Sequence, residues 1–352
     1  MDIKELGTLF LVGFHGTVFT REIRTLMEEL NPCGVILFAR NIEDPVQVAT
    51  LNRDVQENAL ARTGTGLFIG VDQEGGRVRR LKEPFTEFPP ALECACSSDP
   101  ESEVRRFARV TAEELLLAGF NLDFVPVLDV LSHSENLESS VIGDRSYGGK
   151  PAEVARLGHI IWETMARRGV IPCAKHFPGH GGTIIDSHFD LPVDNRSAEW
   201  MEGFDLIPFK EAVESSIDML MTAHVLYPDL DPSLPATLSS RIIQRLLRDN
   251  MGYEGVVITD DLDMGAVAKR HSPEECALKA FSAGADILLF CNDPQKAFSA
   301  REAVFAAIRS GDISEERVSQ SFGRIEDLKT RYAGSLRPCD PKKARDRFQF
   351  RV

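Results

Sequence analysis

The chain has 352 residues, 43% hydrophobic and 27% charged, with a formal net charge of −14 at pH 7. That apolar content excludes disorder as the main state, and the acidic balance excludes a general nucleic-acid binder, which needs a basic face to neutralise phosphates. One large domain or two ordinary ones fit this length, and a small or neutral ligand is the expected partner.

The first residues, Met1-Asp2-Ile3-Lys4-Glu5-Leu6, lack the positive start of a signal peptide, and the apolar run that follows is too short for one. No segment has the length needed to span a membrane, so the chain is expected in the cytoplasm with no membrane partner. Short apolar runs then alternate with amphipathic stretches. Strands are predicted at 8–12, 34–39, 66–71, 122–127, 170–174, 219–223, 256–259 and 287–291. Between the fifth strand and its predecessor a helix opens at Pro151, buries Val154, Leu157, Ile161 and Met165, and closes at Arg167-Arg168-Gly169. Another starts at Asp293-Pro294 and ends at Gly311.

Eight strand and helix alternations predict a single TIM-type (β/α)₈ barrel over residues 1–334, with irregularity at the first strands. A doubly wound open sheet is the rival, but no Gly-x-Gly-x-x-Gly follows the first strand, so a dinucleotide cofactor has no support and none is expected. Residues 335–352 carry Arg337, Lys342, Lys343, Arg345, Arg347 and Arg351 against Asp340 and Asp346, a basic tail packed on the barrel or frayed. Seven cysteines are scattered without a metal spacing, several inside apolar strands, as expected of reduced thiols. Nothing divides the chain or suggests more than a monomer.

In such a barrel, polar residues just past the C-terminal ends of the strands converge on one mouth. Here the third strand leads into Asp72-Gln73-Glu74-Gly75-Gly76-Arg77-Val78-Arg79-Arg80, the fifth into Lys175-His176, the sixth into His224 and the seventh into Asp260-Asp261. Singly, each has a bland reading. Asp72 and Glu74 would pair with nearby arginines, one of Asp260 and Asp261 would cap the following helix, and His224 would be a satisfied core histidine. His15, His133, His159 and His271 have no chemical context.

Together with the glycine-rich loop Phe177-Pro178-Gly179-His180-Gly181-Gly182-Thr183 and Asp186-Ser187-His188, these residues suit two chemistries. A metal-dependent hydrolase would use His176, His180 and His188, although their spacing matches no standard zinc motif and Lys175 adds a cation. Acid and base work is the better fit. Asp186 is placed to hydrogen-bond one ring nitrogen of His188, which makes a proton donor for neutral pH, and Asp260 across the mouth supplies a carboxylate nucleophile. Glycoside hydrolysis is the reaction that pairs such groups.

At these residues the sequence resembles the glycoside hydrolase family 3 β-N-acetylglucosaminidases of the bacterial cell-wall recycling (NagZ) type. The resemblance runs through Gly34-Val35-Ile36-Leu37-Phe38-Ala39-Arg40-Asn41, the Asp72 to Val78 run, Ile142-Gly143-Asp144-Arg145-Ser146-Tyr147, Lys175 to Gly181, Asp186-Ser187-His188, Met221-Thr222-Ala223-His224 and Gly255 to Asp260. It implies that Asp260, rather than Asp261, is the nucleophile, and that His188 is the acid/base with Asp186 as its partner. It further implies that Asp72, Arg80, Arg145, Lys175 and His176, with His224 beside them, hold a terminal GlcNAc. The implied activity is a metal-independent, retaining β-N-acetylhexosaminidase acting on muropeptides such as GlcNAc-1,6-anhydro-MurNAc peptides, with a family 3 glycosidase or phosphorylase of other specificity as the alternative. One departure is visible: the family commonly has Asp where this chain has Gly182, which implies a more mobile loop lacking one hydrogen bond.

Overall fold

The computed structural model describes residues 2–132, 141–183 and 185–348, so His133 lies outside the described residues. Its eight barrel strands are β1 (Phe10–Gly13), β2 (Gly34–Ile36), β3 (Phe68–Val71), β4 (Leu122–Asp123), β5 (Ile171–Phe177), β6 (Met219–Thr222), β7 (Val256–Thr259) and β8 (Leu288–Phe290). All neighbours are parallel and adjacent in sequence, β8 returns to pair with β1, and an Ile258–Ile287 bridge joins β7 to β8. The sheet therefore closes, and the predicted (β/α)₈ barrel is the fold.

The outer helices begin and end for local reasons. Asp44 and Asp293 each accept hydrogen bonds from first-turn amides, a proline occupies the first turn, and Gly64 (φ 73°) and Gly311 (φ 84°) end the helices Pro45–Thr63 and Pro294–Ser310. Helix Pro151–Arg167 buries the predicted Val154, Leu157, Ile161 and Met165 and packs on β5. The core also holds Phe10, Phe68, Phe120, Phe124, Phe177 and Phe290, all fully buried. Burying each ring stabilises the fold by about 1.5–3 kcal/mol relative to exposure.

Only β7 keeps its expected span; β2 stops at Ile36 rather than 39, β3 starts at Phe68 rather than 66, β6 and β8 are trimmed by a residue at one or both ends, and β1, β4 and β5 depart for local reasons. β1 starts at Phe10 because Glu5–Leu9 coils into a 3₁₀ turn that buries Leu6 and Leu9. β4 pairs over only Leu122–Asp123, since Pro126 has no N–H to give the ladder, and the chain touches β5 again at a Val127–Lys175 bridge. β5 runs three residues beyond 174 to Phe177, with an irregular register between Ala174 and Phe177, so Lys175 and His176 belong to the strand itself.

After β3, Gln73–Gly75 folds back on Val78–Arg79, a hairpin whose turn needs the left-handed backbone of Gly75 (φ 90°) and Gly76 (φ 52°). In the tail, helix Pro341–Phe348 packs on Pro45–Thr63, burying Ala344 and Phe348, whose ring meets that of Phe85 at 4.6 Å. All seven cysteines are free thiols. No helix among the described residues is long and apolar enough to cross a membrane.

Candidate active site

One cavity at the C-terminal mouth of the barrel gathers nearly every residue singled out above: Asp72, Arg80, Arg145, Lys175, His176, His180, His188 and Asp260 all line it, with Phe38, Phe124, Met221 and Met264 as apolar facing. Its charged wall is an ion-pair network. Lys175 Nζ lies 2.7 Å from Asp72 Oδ1 and 2.6 Å from Glu74 Oε1, and Arg145 grips both oxygens of Glu74 at 2.8 Å. Arg80 approaches Asp72 Oδ2 at 3.4 Å. Asp72 directly follows β3, Glu74 sits in the hairpin beyond it and β5 supplies the lysine, while Arg145 ends the short 3₁₀ turn Gly143–Arg145.

Burial alone raises the Glu74 carboxyl, but Arg145 and then Lys175 outweigh it and hold the group far below the usual carboxylate range. Asp72 is lowered in the same way by Lys175 and Arg80, and Lys175 is raised against its own burial by Asp72 and Glu74. The predicted pairing of Asp72 and Glu74 with Arg77, Arg79 or Arg80 holds only for Asp72 with Arg80. Arg77 instead pairs with Asp144, and Arg79 with Glu87.

Because Lys175 and Glu74 are 3% and 5% exposed at the side chain, Lys175→Met leaves two buried anions without their shared cation. The expected cost is about 3–5 kcal/mol of stability, read as a lower denaturation midpoint. Adding Glu74→Gln should recover part of it, and a double mutant no more stable than Lys175→Met would contradict the coupling. The sign with pH follows. A depressed Glu74 stabilises above its ordinary 4.5 and loses this as pH falls through its folded value; a raised Lys175 stabilises below its ordinary 10.5 and loses this as pH rises through its folded value. The network is therefore complete across the whole neutral range.

His176 is fixed by a residue that the sequence reading missed. Asp129, fully buried, meets His176 Nδ1 at 2.7 Å and accepts from the backbone N–H of His176 at 3.1 Å and of His180 at 2.7 Å. The signal is a carboxylate two residues past the expected end of the fourth strand at 127, set apart from it by Leu128 rather than following at once. His180 also gains a place: its Nδ1 lies 2.6 Å from Thr183 Oγ1 and its Nε2 3.3 Å from Ser187 Oγ, so the ring clasps the base of the glycine-rich loop. Burial, with His176 nearby, pushes His180 down to about 4, which makes it a neutral imidazole. The ring nitrogens of His180 and Nδ1 of His176 are thus committed to protein partners, and among the described residues no three metal-ligand side chains group to hold an ion.

Asp260 follows β7 at the cavity floor, where its Oδ1 accepts the Asp261 N–H at 2.8 Å. Burial raises its carboxyl, but His224 and His176, the Asp261 amide and His188 together hold it below the ordinary value, so it is an anion at neutral pH. Asp261 has other work. It accepts from the amides of Asp263 and Cys291 at 3.0 Å, and burial pushes its carboxyl up to about 7. His224 sits beneath the floor rather than on it. Fully buried and absent from the lining, it donates Nε2–H to the Asp261 carbonyl at 2.9 Å and holds Thr237 Oγ1 at 2.8 Å through Nδ1, so a hand on the sugar is replaced by a brace under the β7 loop.

The loop beyond β5 brings His188 over the same cavity. Asp186 accepts from the His188 backbone N–H at 2.9 Å and from Nδ1 at 2.8 Å, which leaves Nε2 for a ligand. Those bonds hold the Asp186 carboxyl below its usual range despite partial burial. His188 is 65% exposed at the side chain, and Phe189 beside it is 71% exposed, while Ile184 lies outside the described residues. Gly182 has a steric reason. A Cβ there would fall 2.4 Å from the Arg196 guanidinium, which is paired with Asp194 at 2.5 Å and Asp205 at 2.9 Å. The backbone of Gly182 thus packs directly against the Arg196 guanidinium, where a side chain would have to displace it.

The geometry thus provides an ionised carboxylate, a carboxylate-held imidazole with a free nitrogen, and a rigid ionic wall between them. Known proteins share this framework. A family model described as the glycosyl hydrolase family 3 N terminal domain matches residues 3–328. A beta-hexosaminidase of Alkalilimnicola ehrlichii is 39% identical over 328 residues, 91% of this chain and 89% of that one. A family 3 beta-N-acetylglucosaminidase structure from Paenibacillus superposes with a TM-score of 0.89 at 40% identity, over 95% of this chain but only 63% of that larger one. NagZ from Neisseria gonorrhoeae, solved in complex with N-trifluoroacetyl-D-glucosamine, superposes with a TM-score of 0.77 at 30% identity, over 97% and 95% of the two chains.

Proposed function

The chain belongs to glycoside hydrolase family 3, and from that membership we propose that it is a retaining exo-β-N-acetylglucosaminidase that removes terminal non-reducing GlcNAc from peptidoglycan fragments. The observation that carries this reading is the meeting of an ionised Asp260 and an Asp186-held His188 in one cavity otherwise walled by fixed charges. In the first step Asp260 attacks the anomeric carbon while the bond to the leaving oxygen breaks and His188 Nε2 gives that oxygen its proton. The product is a covalent glycosyl-aspartate. Water then attacks the same carbon, yielding its proton to His188 Nε2 and releasing the Asp260 carboxylate, so configuration is retained. An imidazole here takes the place of the second carboxyl of the usual pair.

Asp72, Arg80, Arg145, Lys175 and His176 are the proposed sugar-holding set, with the apolar lining against the acetamido methyl and the ring C–H face. Residues 1–334 are the catalytic barrel and 335–352 a basic tail whose helix Pro341–Phe348 packs on it; the protein acts as a cytoplasmic monomer in cell-wall recycling on GlcNAc-1,6-anhydro-MurNAc peptides, and needs no cofactor.

Initial rates on aryl β-GlcNAc should exceed those on aryl β-glucoside by roughly a hundredfold or more, because a site built around a hydrogen-bonded group rejects analogues that lack it. Equal rates would overturn the specificity. Exhaustive chelation should leave activity unchanged, whereas a loss would favour the metal-dependent alternative, and faster turnover with added phosphate would mark a phosphorylase. Failure to release GlcNAc from anhydro-muropeptides, with aryl β-GlcNAc still cleaved, would remove the recycling role alone.

A further inference from the structure

The segment that bears His188 is tied at both feet, by His180 to Thr183 and Ser187 at one end and by Arg196 to Asp194 and Asp205 at the other. Its tip is held separately. Gly265 donates its N–H to the carbonyl of His188 at 3.1 Å, and Ala266 donates to the carbonyl of Ser187 at 3.0 Å. These two amides lie only a short turn beyond Asp260, and that turn is itself fixed by Asp263 N–H to Asp261 Oδ1 and Met264 N–H to the Asp261 carbonyl, both 3.0 Å.

Position 265 tolerates no side chain in this arrangement. A Cβ would sit 2.7 Å from the carbonyl oxygen of Phe189, 2.8 Å from that of His188 and 3.0 Å from the Phe189 carbonyl carbon. All three are backbone atoms and cannot swing aside as a flexible side chain would. Gly265 is not among the glycines of positive φ, so alanine carries no backbone strain there. The space for the His188 segment, rather than local conformation, is what glycine provides.

We infer that Gly265 is a positioning residue: by lacking a side chain, it lets the loop that follows the nucleophile dock the proton-donating segment directly, so that Asp260 and His188 are set relative to one another through one short stretch of chain. The inference rests on the proposed roles of those two residues. A displacement of about an ångström in an acting group is enough to cost up to roughly a hundredfold in rate. A Cβ at position 265 reaches ordinary contact only if the His188 and Phe189 carbonyls give way by several tenths of an ångström, and none of its three nearest atoms belongs to Asp260 or the ionic wall.

The test uses Gly265→Ala in the full chain, with Arg270→Ala as a control on the exposed Arg270–Asp190 ion pair of the same region. Gly265→Ala is expected to lower kcat about ten- to a hundredfold on a disaccharide with an unactivated leaving sugar, yet less than about threefold on a dinitrophenyl glycoside, which needs little protonation. The limb of the pH profile that His188→Ala abolishes should shift or flatten, and Arg270→Ala should change neither ratio by more than about twofold. Equal losses on both substrates, or none, would overturn the inference. If His188→Ala itself shows no dependence on the leaving group, the proposed chemistry fails, which is a different result. Hydrogen exchange gives a reading independent of activity: the amides of Gly265 and Ala266 should be protected in the parent chain and lose protection in Gly265→Ala. Unchanged protection would equally overturn the latch.

Discussion

Asp260→Asn is expected to reduce kcat on aryl β-GlcNAc by roughly 10⁴-fold or more, the scale on which loss of a covalent nucleophile is felt. The change is nearly isosteric, and an asparagine carbonyl still accepts the Asp261 N–H that Asp260 accepts at 2.8 Å, so the floor of the cavity keeps its shape. What disappears is the anion. Because the surrounding imidazoles and the Asp261 amide hold the Asp260 carboxyl below its ordinary range, the proposed nucleophile is an anion at neutral pH in the parent chain. KM should move little, since the wall built from Lys175, Glu74 and Arg145 is untouched. Asp261→Asn is the sharp comparison. Asp261 also lines the cavity, but its carboxyl, pushed up to about 7, ties the amides of Asp263 and Cys291, so its replacement should cost stability more than turnover. Residual activity of Asp260→Asn within tenfold of the parent would end the nucleophile assignment.

His188→Ala is the second large effect, and its size should depend on the leaving group. For unactivated sugar leaving groups the loss should reach about 10²–10⁴-fold, the usual worth of a positioned proton donor, while dinitrophenyl glycosides should lose under about tenfold in the first step. With that step still fast, slowed hydrolysis of the glycosyl-enzyme should appear as a burst followed by a slow steady state. Stability should hardly change, since the ring is 65% exposed and its one described partner, Asp186, is on its own loop. Equal losses on both substrate classes would argue that His188 binds sugar instead of moving a proton.

The barrel was legible because its signal is repetitive: eight apolar runs, each followed by an amphipathic stretch, leave little choice of topology. The cavity was legible wherever a charged residue followed an expected strand at once, as with Asp72, Lys175 and Asp260. A residue set slightly further on escapes that rule: Leu128 separates Asp129 from the expected strand end at 127, although that carboxylate accepts from two backbone amides and meets the ring of His176. The rule also placed His224 on the sugar side because it marks a position along the chain but not a direction. A histidine one residue past Ala223 turned down to the Asp261 carbonyl instead of up to the cavity. Contacts that depend on an absent side chain left no trace at all. Nothing in Met264-Gly265-Ala266 announces that two amides there receive the His188 segment, or in Gly182 that Arg196 lies against it.

The charged wall has a consequence for inhibitor design. Each of its cations already has a carboxylate partner, with Lys175 between Asp72 and Glu74 and Arg145 clamped on Glu74, so the donors stand in place before any ligand arrives. A compound that mimics the sugar end alone therefore meets a preorganised surface, and its affinity is free of the cost of ordering a loop. An added apolar arm that reaches the His188 segment meets different ground, where Phe189 and Ile185 are 71% and 47% exposed. Gains from such an arm would come from covering those apolar side chains, and the residence time of the compound, more than its rate of capture, would record them.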